Sequence, residues 1–508
     1  MSGFLTEDEI AELVPSEFLT HATPIPTQIV SSDEYTPPPQ SENQKQVEAR
    51  LLAMGDELGK KQNLNRRQFF QTASGMAAGF LALNDTFGPV FDVSRAEAAT
   101  PELANERAAS LKDQFIMDMH THFLRDDTRL VNFVRSREAV GKAGWNPTLV
   151  DKPQTLEDLK FNNYFKEMFL DSDTKVALIS SSPSEIPRDW FLTNEMTIEA
   201  RDKVNKEAGA RRMFAHAIFT PGWDGWLEHL EGSLARKPES IKGYTVGDNT
   251  NKNEAKHPWR MDDEKLTYKA YELCVKHGIK NVCVHKGLFP KATAERWPHL
   301  LQYAQVGDVG KAAKDWPQLN FVIYHGGYRH AAGGRAEDGW NEFLETGRVS
   351  WVSDLAEIPE KYGVSNVYAD VGQLFAQSIV AAPQLSAALM GIMGKGLGYD
   401  RVVWGTDAVW TGSPQWQIEA LRRLEIPGDM QKKYGFKPLG AADGPIKTAI
   451  FSGTNAKLYN FDIGKRSDIG PTKDRFARMK DEYEKQGPAR SNLRYGYVRN
   501  PVDWSAFA

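Results

Sequence analysis

The sequence predicts a (β/α)8 TIM barrel, in which eight parallel strands alternate with helices around a closed core. Short apolar runs recur between Phe115 and Asp407, and polar, helix-permissive stretches separate them. Continuous apolar runs are typical of parallel strands covered on both faces, and their alternation with helical stretches indicates right-handed crossovers. Four of the runs also end in a histidine or an aspartate. Eight such units fit the usual barrel length of about 250 residues, with insertions.

The predicted strands follow in order, and most are bounded by polar or glycine-containing segments. They begin at Phe115-Ile116-Met117, which leads into 118–123, and continue at 176–180, 213–219, 241–246, 281–285, 321–325, 366–371 and 401–407. Helices are predicted at 263–276 and 309–315, before the fifth and sixth strands. A doubly wound open sheet is the alternative fold. It is disfavoured because side chains from the first and last strands would lie far apart unless the sheet closed.

The four polar strand ends predict a metal site. His120 and His122 end the first strand, and because alternate strand residues point the same way, both imidazoles are expected to aim at one point. His285, His325 and Asp407 end the fifth, sixth and eighth strands. In a barrel these ends meet on the face that carries catalytic groups, and imidazole suits zinc, iron and nickel. A single strand-end histidine is more often a satisfied polar residue, whereas the joint pattern favours a metal.

Taken in this order, the motifs resemble the amidohydrolase superfamily. The resemblance is to its amidohydrolase-related subgroup, which includes aminocarboxymuconate-semialdehyde decarboxylase and related aromatic-acid decarboxylases and hydrolases. That family's first-strand His-x-His falls on His120 and His122, its fifth-strand histidine on His285, and its eighth-strand aspartate on Asp407. Its sixth-strand His-Gly-Gly falls on His325-Gly326-Gly327.

The resemblance covers about residues 115–461, and the segment 450–459 is similar to the family's closing Gly-x-Asn-Ala motif. It implies that His120, His122, His285 and Asp407 are the metal ligands. Binuclear members bridge two metals with a carboxylated lysine late on the fourth strand. Lys242 is the one lysine near that position and lies at the start of the predicted strand. One divalent ion is therefore expected, with Zn²⁺ favoured over Mn²⁺ or Fe²⁺.

The implied ligand set predicts the chemistry. Three imidazoles and one carboxylate leave an open position on the ion for water and substrate. Asp407 is expected to take a proton from that water and return it to a leaving group, while His325 orients the water or stabilises an oxyanion. Hydrolysis of an amide, ester or lactone is the first expectation, and decarboxylation of an unsaturated or aromatic carboxylic acid is the alternative. A catalytically silent barrel is disfavoured because each expected ligand is present.

Aromatic and cationic residues follow several predicted strand ends and indicate a small-molecule substrate with an aromatic or carboxylated body. Arg125, Lys286, Arg329 and Trp410 are the predicted substrate-binding residues, because a guanidinium fork suits a carboxylate and an indole suits an apolar ring. Lys286 reaching solvent is an equal alternative, and several loop aromatics are expected to pack on the rim. His216, within the third strand, is interpreted as a packed core histidine.

The chain before the barrel has a different character. Residues 1–64 are acidic and proline-containing and are predicted to be largely disordered, with short helices at 5–13 and 44–58 as exceptions. Residues 65–98 resemble a twin-arginine export signal, with Arg66-Arg67, an apolar run and a cleavage motif at Ala96-Glu97-Ala98. They predict a periplasmic or exported protein that uses the twin-arginine export machinery. The alternative is a cytoplasmic protein with a retained N-terminal arm.

Residues 99–508 are predicted to form one metal-dependent barrel, with a C-terminal extension from about 462. A net charge of −5 and the lack of a basic cluster argue against a nucleic-acid partner. Two cysteines in 508 residues do not make a disulfide framework. A homo-oligomer is expected, and the aromatic tail is predicted to wrap the barrel or a neighbouring subunit.

Overall fold

The computed structural model describes residues 23–29, 38–142, 155–331, 334–464 and 474–486. At its centre, eight parallel strands form one sheet in sequence order. They are β1 (Met117–Thr121), β2 (Val176–Ile179), β3 (Met213–Ile218), β4 (Ser240–Tyr244), β5 (Asn281–His285), β6 (Asn320–Tyr324), β7 (Val367–Asp370) and β8 (Val402–Val403). All eight predicted strands are present. The eighth is much shorter than predicted, and an irregular segment leads from it to Asp407.

The sheet closes on itself through the segment that follows β8. The amide of Asp407 donates to the carbonyl of His120 at 2.8 Å, and a parallel bridge joins Thr121 to Ala408. The ends of the first and last strands are therefore neighbours. The barrel prediction is confirmed, and the open doubly wound sheet is excluded.

Side chains of alternate strand residues fill the barrel. One buried cluster combines Leu178, Phe214, Cys283 and Tyr324 with Tyr459 of the closing segment. Their neighbours on the same strands belong to clusters that lie between the sheet and its helices. The lower part of the barrel is thus a packed core, and the polar site is confined to the carboxyl ends of the strands.

In the part of the chain before the barrel that the structure describes, there are five helices: α1 (Glu42–Lys61), α2 (Arg66–Phe70), α3 (Ala73–Phe87), α4 (Arg95–Ala99) and α5 (Pro101–Leu111). The helix predicted at 44–58 is present as α1, which extends a few residues beyond that range at both ends. Ser41 and Gln44 form a capping box at its start, and Val47 and Leu51 bury an apolar stripe, which gives the helix a packed face. The predicted helix at 5–13 lies outside the described residues.

The remaining helices lie between the strands or follow the barrel. They are α6 (Val131–Lys142), α7 (Phe161–Phe165), α8 (Asn194–Ala208), α9 (Trp226–Ala235), α10 (Tyr268–His277), α11 (Lys291–Arg296), α12 (Leu301–Ala304), α13 (Val309–Asp315), α14 (Ala336–Thr346), α15 (Val352–Ala356), α16 (Ile358–Tyr362), α17 (Leu374–Ala381), α18 (Pro383–Gly396), α19 (Gln415–Arg423), α20 (Gly428–Tyr434), α21 (Pro445–Thr448), α22 (Thr454–Leu458) and α23 (Arg475–Gln486). The two predicted helices correspond to α10 and α13. None of the described helices is both long and apolar enough to span a bilayer.

Part of the predicted C-terminal extension folds back onto the barrel. Asp474 pairs with Arg212 at 2.6 Å, and Tyr483 of α23 donates to Asp171 at 2.5 Å. These contacts attach α23 beside the amino ends of β2 and β3. Residues 465–473 and 487–508, which include the aromatic end of the tail, lie outside the described residues.

Candidate metal centre

An irregularity in β1 brings both of its histidines to the site. The pairing of β1 with β2 shifts register between Asp118 and Thr121, so Met119 joins the interior core while His120 and His122 both reach the top of the barrel. Bulges of this kind occur next to active sites, where they re-aim a side chain.

Asp407 lies between these two rings. Its Oδ1 is 3.1 Å from His120 Nε2 and 3.0 Å from His122 Nε2. All three side chains are buried. The predicted convergence of the first and last strand ends is therefore present in the structure.

The opposite ring nitrogens are held by acceptors. Nδ1 of His120 is 2.9 Å from the carboxylate of Asp370, and Nδ1 of His122 is 3.0 Å from the carbonyl of Ser180. Nδ1 of His325 is 3.0 Å from the carbonyl of Gly372. Because carbonyl oxygens only accept, Nδ1 of His122 and of His325 must carry the proton, and Nε2 of each presents a lone pair.

This donor set fits a cation. His122 Nε2 and Asp407 Oδ1, 3.0 Å apart, are both acceptors once the His122 proton is committed to Ser180. Two buried acceptors at this distance repel each other unless a positive charge lies between them. A proton on His120 or a divalent ion supplies that charge, and imidazole with carboxylate is a usual zinc donor set.

His325 and His285 lie on the other side of the cluster. Nitrogen and oxygen atoms of His120, His325 and Asp407 lie within 4.8 Å of one another and form a group able to hold a metal. The ring of His285 is edge-on to that of His325, with centroids 4.6 Å apart. His285 is thus next to the compact group, and its predicted role as a ligand stays a prediction.

Burial keeps three of the histidines neutral at pH 7. It lowers the pKa of His122 and of His325 to about 4, although Asp407 acts in the opposite direction. It lowers the pKa of His285 well below the usual value. Neutral imidazole is the form that binds a metal.

His120 and Asp407 behave as a charge pair. Burial lowers the pKa of His120, but Asp407 and Asp370 outweigh it, so the pKa lies above its usual value. Burial would raise the pKa of Asp407, but His120 and His122 hold it well below its usual range. Asp407 is therefore ionised at neutral pH and is available as a ligand or base.

Lys242 also faces this end of the barrel. It lies in the middle of β4 and not at the start of the strand as predicted, and it is fully buried. Its ammonium lies 3.4 Å from the centre of the Tyr324 ring and 3.4 Å from the hydroxyl of Ser180. Its charge helps to lower the pKa of the surrounding histidines. Lys242 therefore lies nearer to the site than the sequence predicted.

Two of the site residues have a left-handed backbone. His325 has φ of 60° and Asp407 has φ of 62°, a region that non-glycine residues rarely occupy. Such conformations cluster at functional sites, where surrounding contacts hold them. The strand ends at β6 and β8 therefore turn sharply as they present these two side chains.

Two predicted substrate-binding cations are engaged elsewhere. Lys286 is fully buried, and its ammonium pairs with Asp308 at 2.8 Å and donates to the carbonyl of Tyr303 at 2.8 Å. Neither predicted alternative, a substrate contact or solvent exposure, agrees with this internal ion pair. Arg125 lies 3.1 Å from Asp127 and donates to the carbonyl of Pro187 at 3.0 Å, so its guanidinium has neighbours on the rim.

The other predicted residues have clearer positions. Trp410 stacks on His122 with ring centroids 5.1 Å apart and forms an apolar wall of the site. Arg329 lies over the ring of Trp351 at 5.3 Å. His216 is hydrogen-bonded to Tyr324 and Ser240, each at 2.7 Å, in agreement with its interpretation as a core histidine.

Two residues behind the site, Asp370 and Asp118, were not predicted from the sequence. Asp370 ends β7 and follows the same strand-end pattern as the other site residues, so the pattern itself contained the signal. Asp118 accepts from the hydroxyl of Thr406 at 2.5 Å and from its amide at 3.0 Å. This contact joins β1 to the segment after β8, and only the closed sheet reveals it.

Comparison with known families supports the resemblance. Residues 242–461, from β4 to the closing segment, match the family model described as amidohydrolase. The resemblance inferred from the strand-end motifs is confirmed over these residues, and it implies a metal-dependent enzyme. No curated protein matches the sequence of this chain.

Several solved structures are similar to this chain. One is the 5-carboxyvanillate decarboxylase of Sphingomonas paucimobilis, with 12% identity, a TM-score of 0.39, and coverage of 69% of this chain and 100% of the other. Another is the 2,6-dihydroxybenzoate decarboxylase of Rhizobium, with 13% identity, a TM-score of 0.38, and coverage of 69% and 99%. The probable 2-pyrone-4,6-dicarboxylic acid hydrolase of Acinetobacter baumannii has 12% identity, a TM-score of 0.37, and coverage of 68% and 99%.

Proposed function

We propose that this protein hydrolyses an amide, ester or lactone bond in a small molecule. The observation that supports this most is the ionised Asp407 carboxylate, which lies 3.0–3.1 Å from two imidazole nitrogens at the mouth of the barrel. The proposal includes one divalent ion, Zn²⁺ before Mn²⁺ or Fe²⁺, with His120, His122, His285 and Asp407 as its ligands.

A divalent ion bound by this set supplies Lewis acidity that polarises a substrate carbonyl and lowers the pKa of water to about 7. Asp407 takes the proton of the attacking water and later returns it to the leaving group. Trp410, stacked on His122, provides an apolar surface against which the substrate body lies. The buried surroundings exclude bulk water from these charges.

His325 acts as an acceptor in this proposal. Its Nδ1 proton is committed to the carbonyl of Gly372, and burial lowers its pKa to about 4, so Nε2 carries a lone pair at neutral pH. A lone pair orients a water molecule but cannot donate to an oxyanion. Of the two predicted roles, orientation of the water is therefore favoured.

Decarboxylation of a carboxylic acid is the second candidate, and Lys242 is the observation that favours it. Its buried ammonium lies near the histidine cluster, where a substrate carboxylate would carry the complementary charge. Hydrolysis ranks first because two of the predicted carboxylate-binding cations, Lys286 and Arg125, already have partners in the fold.

Labelled water distinguishes the two reactions. The purified holoenzyme is incubated in ¹⁸O water with a panel of lactones, esters, amides and carboxylated aromatics, and the products are analysed by mass spectrometry. Hydrolysis incorporates one ¹⁸O atom into the product. Carbon dioxide release without such incorporation would establish decarboxylation instead.

Asp407→Asn tests the role of the carboxylate, because it keeps the shape of the side chain and removes its charge. Turnover is expected to fall by about 10²–10⁴-fold, the usual contribution of a positioned acid–base group. Full turnover in this variant would remove Asp407 from the mechanism.

A further inference from the structure

Asp370, the last residue of β7, is the shared hydrogen-bond acceptor of several groups behind the site. It is buried, and its Oδ1 is 2.9 Å from His120 Nδ1. Its two carboxylate oxygens also accept from the amide of Gly372 at 3.1 and 3.2 Å. The amide of His325 lies 3.5 Å from the same Oδ1.

The carboxylate selects one tautomer of His120. An ionised carboxylate is only an acceptor, so Nδ1 of His120 carries a proton and Nε2 is directed at Asp407, 3.1 Å away. In metal sites, a carboxylate behind a ligating histidine fixes the orientation of the ring and raises its basicity.

The same carboxylate is linked to His325 through the backbone of Gly372. The amide of Gly372 donates to Asp370, and the carbonyl of Gly372 accepts from His325 Nδ1 at 3.0 Å. A displacement of the Asp370 side chain therefore moves the acceptor that orients His325 as well as the one that orients His120.

Two glycines make room for this arrangement. A Cβ atom at Gly372 would lie 2.7 Å from His120 Nδ1 and 3.0 Å from Asp370 Oδ1. A Cβ atom at Gly405 would lie 2.6 Å from His120 Cβ and would also contact Asp370. The absence of side chains at both positions allows the carboxylate and the imidazole to meet.

We infer that Asp370 is a positioning residue that orients His120 directly and His325 through Gly372. This inference rests on the proposed metal-dependent function. Asp370 orients the groups that do the chemistry without contacting the substrate.

Asp370→Asn tests the inference, because asparagine keeps the size of the side chain and removes its charge. The affinity of the protein for Zn²⁺ is measured by competition with a chromogenic chelator and is expected to fall by about 10–100-fold. With saturating Zn²⁺, kcat is expected to fall more than KM rises. A folded variant whose Zn²⁺ affinity and kcat both match the wild type would overturn the inference.

The control is Asp171→Asn, which removes another buried carboxylate, one that pairs with Lys166 and Tyr483 before β2 and therefore at the opposite end of the barrel. Its Zn²⁺ affinity is expected to be unchanged. Failure of the wild type to bind Zn²⁺, Mn²⁺ or Fe²⁺ would refute the proposed function itself, which separates the two failures.

If Asp370→Asn does not fold, Gly372→Ala decides. It keeps every ligand and carboxylate in the sequence, and its methyl group would force His120 and the Asp370 carboxylate apart. Weaker Zn²⁺ binding in the folded variant supports the inference, and wild-type Zn²⁺ affinity contradicts it.

A second, independent observation concerns residues 65–98, which resemble an export signal. Phe69, Phe70, Phe80 and Leu83 of this segment are all buried in the same hydrophobic cluster as the helices around the barrel. Gln384 of α18 donates to the carbonyl of Phe87. The apolar run that suggested a signal is a packed face of α2 and α3.

Backbone and ionic contacts join this segment to the helix that follows β8. The amide of Asp92 donates to the carbonyl of Arg423 at 2.7 Å, and the amide of Glu425 donates to the carbonyl of Val90 at 2.8 Å. The guanidinium of Arg423 pairs with Glu97 at 2.7 Å. Glu97 is the central residue of the predicted cleavage motif.

The predicted cleavage motif is not available to a protease in the folded chain. Ala96, Glu97 and Ala98 lie within α4, and Glu97 and Ala98 are buried. Processing would require the helix to unfold and the Glu97–Arg423 pair to break.

We propose that residues 38–98 remain in the mature enzyme as an N-terminal brace of the barrel. The test is the intact mass of the full-length chain, expressed from its own start in a host with twin-arginine export and signal peptidase. The expected main species retains α1 to α4. A folded, active main species that starts at Ala99 would overturn the proposal.

Phe70→Asp in the full-length chain provides a second measurement. A charge at this buried position is expected to lower the unfolding temperature by more than about 5 °C, whereas Arg67→Gln, on the partly exposed side of α2, is expected to change it little. An unchanged unfolding temperature for Phe70→Asp would show that the brace is not attached to the folded enzyme.

Discussion

The two sides of the metal centre are built differently. On the β1–β8 side, His120 and His122 each have a hydrogen-bond acceptor behind the ring, and Asp407 lies 3.0–3.1 Å in front of them. On the β5 side, within the described chain, no hydrogen bond holds the ring of His285. That ring stacks on Tyr244 at 4.9 Å and meets His325 edge-on at 4.6 Å.

The two sides differ in how firmly the imidazole rings are oriented before a ligand binds. Hydrogen bonds fix the direction of a ring nitrogen, whereas aromatic contacts fix the position of the ring with less control of its rotation. The β1–β8 side is therefore preorganised. On the β5 side, in contrast, the rotation of the His285 ring is less constrained.

The largest expected effect comes from removal of the preorganised side. His120→Ala combined with His122→Ala should abolish binding of the divalent ion and activity, whereas His285→Ala should weaken binding less. Elemental analysis of the purified wild type should find about one ion per chain, and chelator competition should rank the variants. The surface variant His229→Ala controls for adventitious binding. Retention of the ion by the double variant would show that the β1–β8 side does not bind it.

An intermediate effect is expected at His325. Its ligand atom lies within 4.8 Å of those of His120 and Asp407, and its proposed role is to orient the water. His325→Asn should keep the ion and lower kcat by about 10²–10⁴-fold. Complete loss of the ion from this variant would make His325 a ligand and would require the role of Lys242 to be reconsidered.

The smallest effect concerns the contact of Asp118 with Thr406, which closes the β1–β8 side. Burial raises the pKa of Asp118 to about 7, although the hydrogen bonds from Thr406 lower it. A raised pKa in the folded state stabilises the protein below the unfolded value, near 4, and this contribution is lost as the pH rises to about 7.

Denaturant unfolding between pH 4 and 8 measures this contribution. Asp118→Asn, which stays neutral, should remove the part of the decline in stability that occurs between pH 4 and 7. A parallel pH dependence of the free energy of unfolding in the variant and the wild type would show that Asp118 does not titrate near 7.

Several features of this protein follow from local sequence alone. Apolar runs with polar ends predicted eight strands, because a strand that is covered on both faces must be apolar and the barrel gathers strand ends on one face. The same rule predicted that five strand-end residues would lie close together: His120, His122, His285, His325 and Asp407. It would also have found Asp370, which ends β7 in the same way.

Tertiary structure decided the rest, because the deciding contacts join residues far apart in sequence. The pairing of Lys286 with Asp308 removes a predicted substrate contact, and the bulge in β1 is visible only against β2. Residues 65–98 resemble an export signal, since a buried amphipathic face and an export signal share apolar composition. The proposal that they remain attached to the barrel depends on the hydrophobic cluster that they form with its helices.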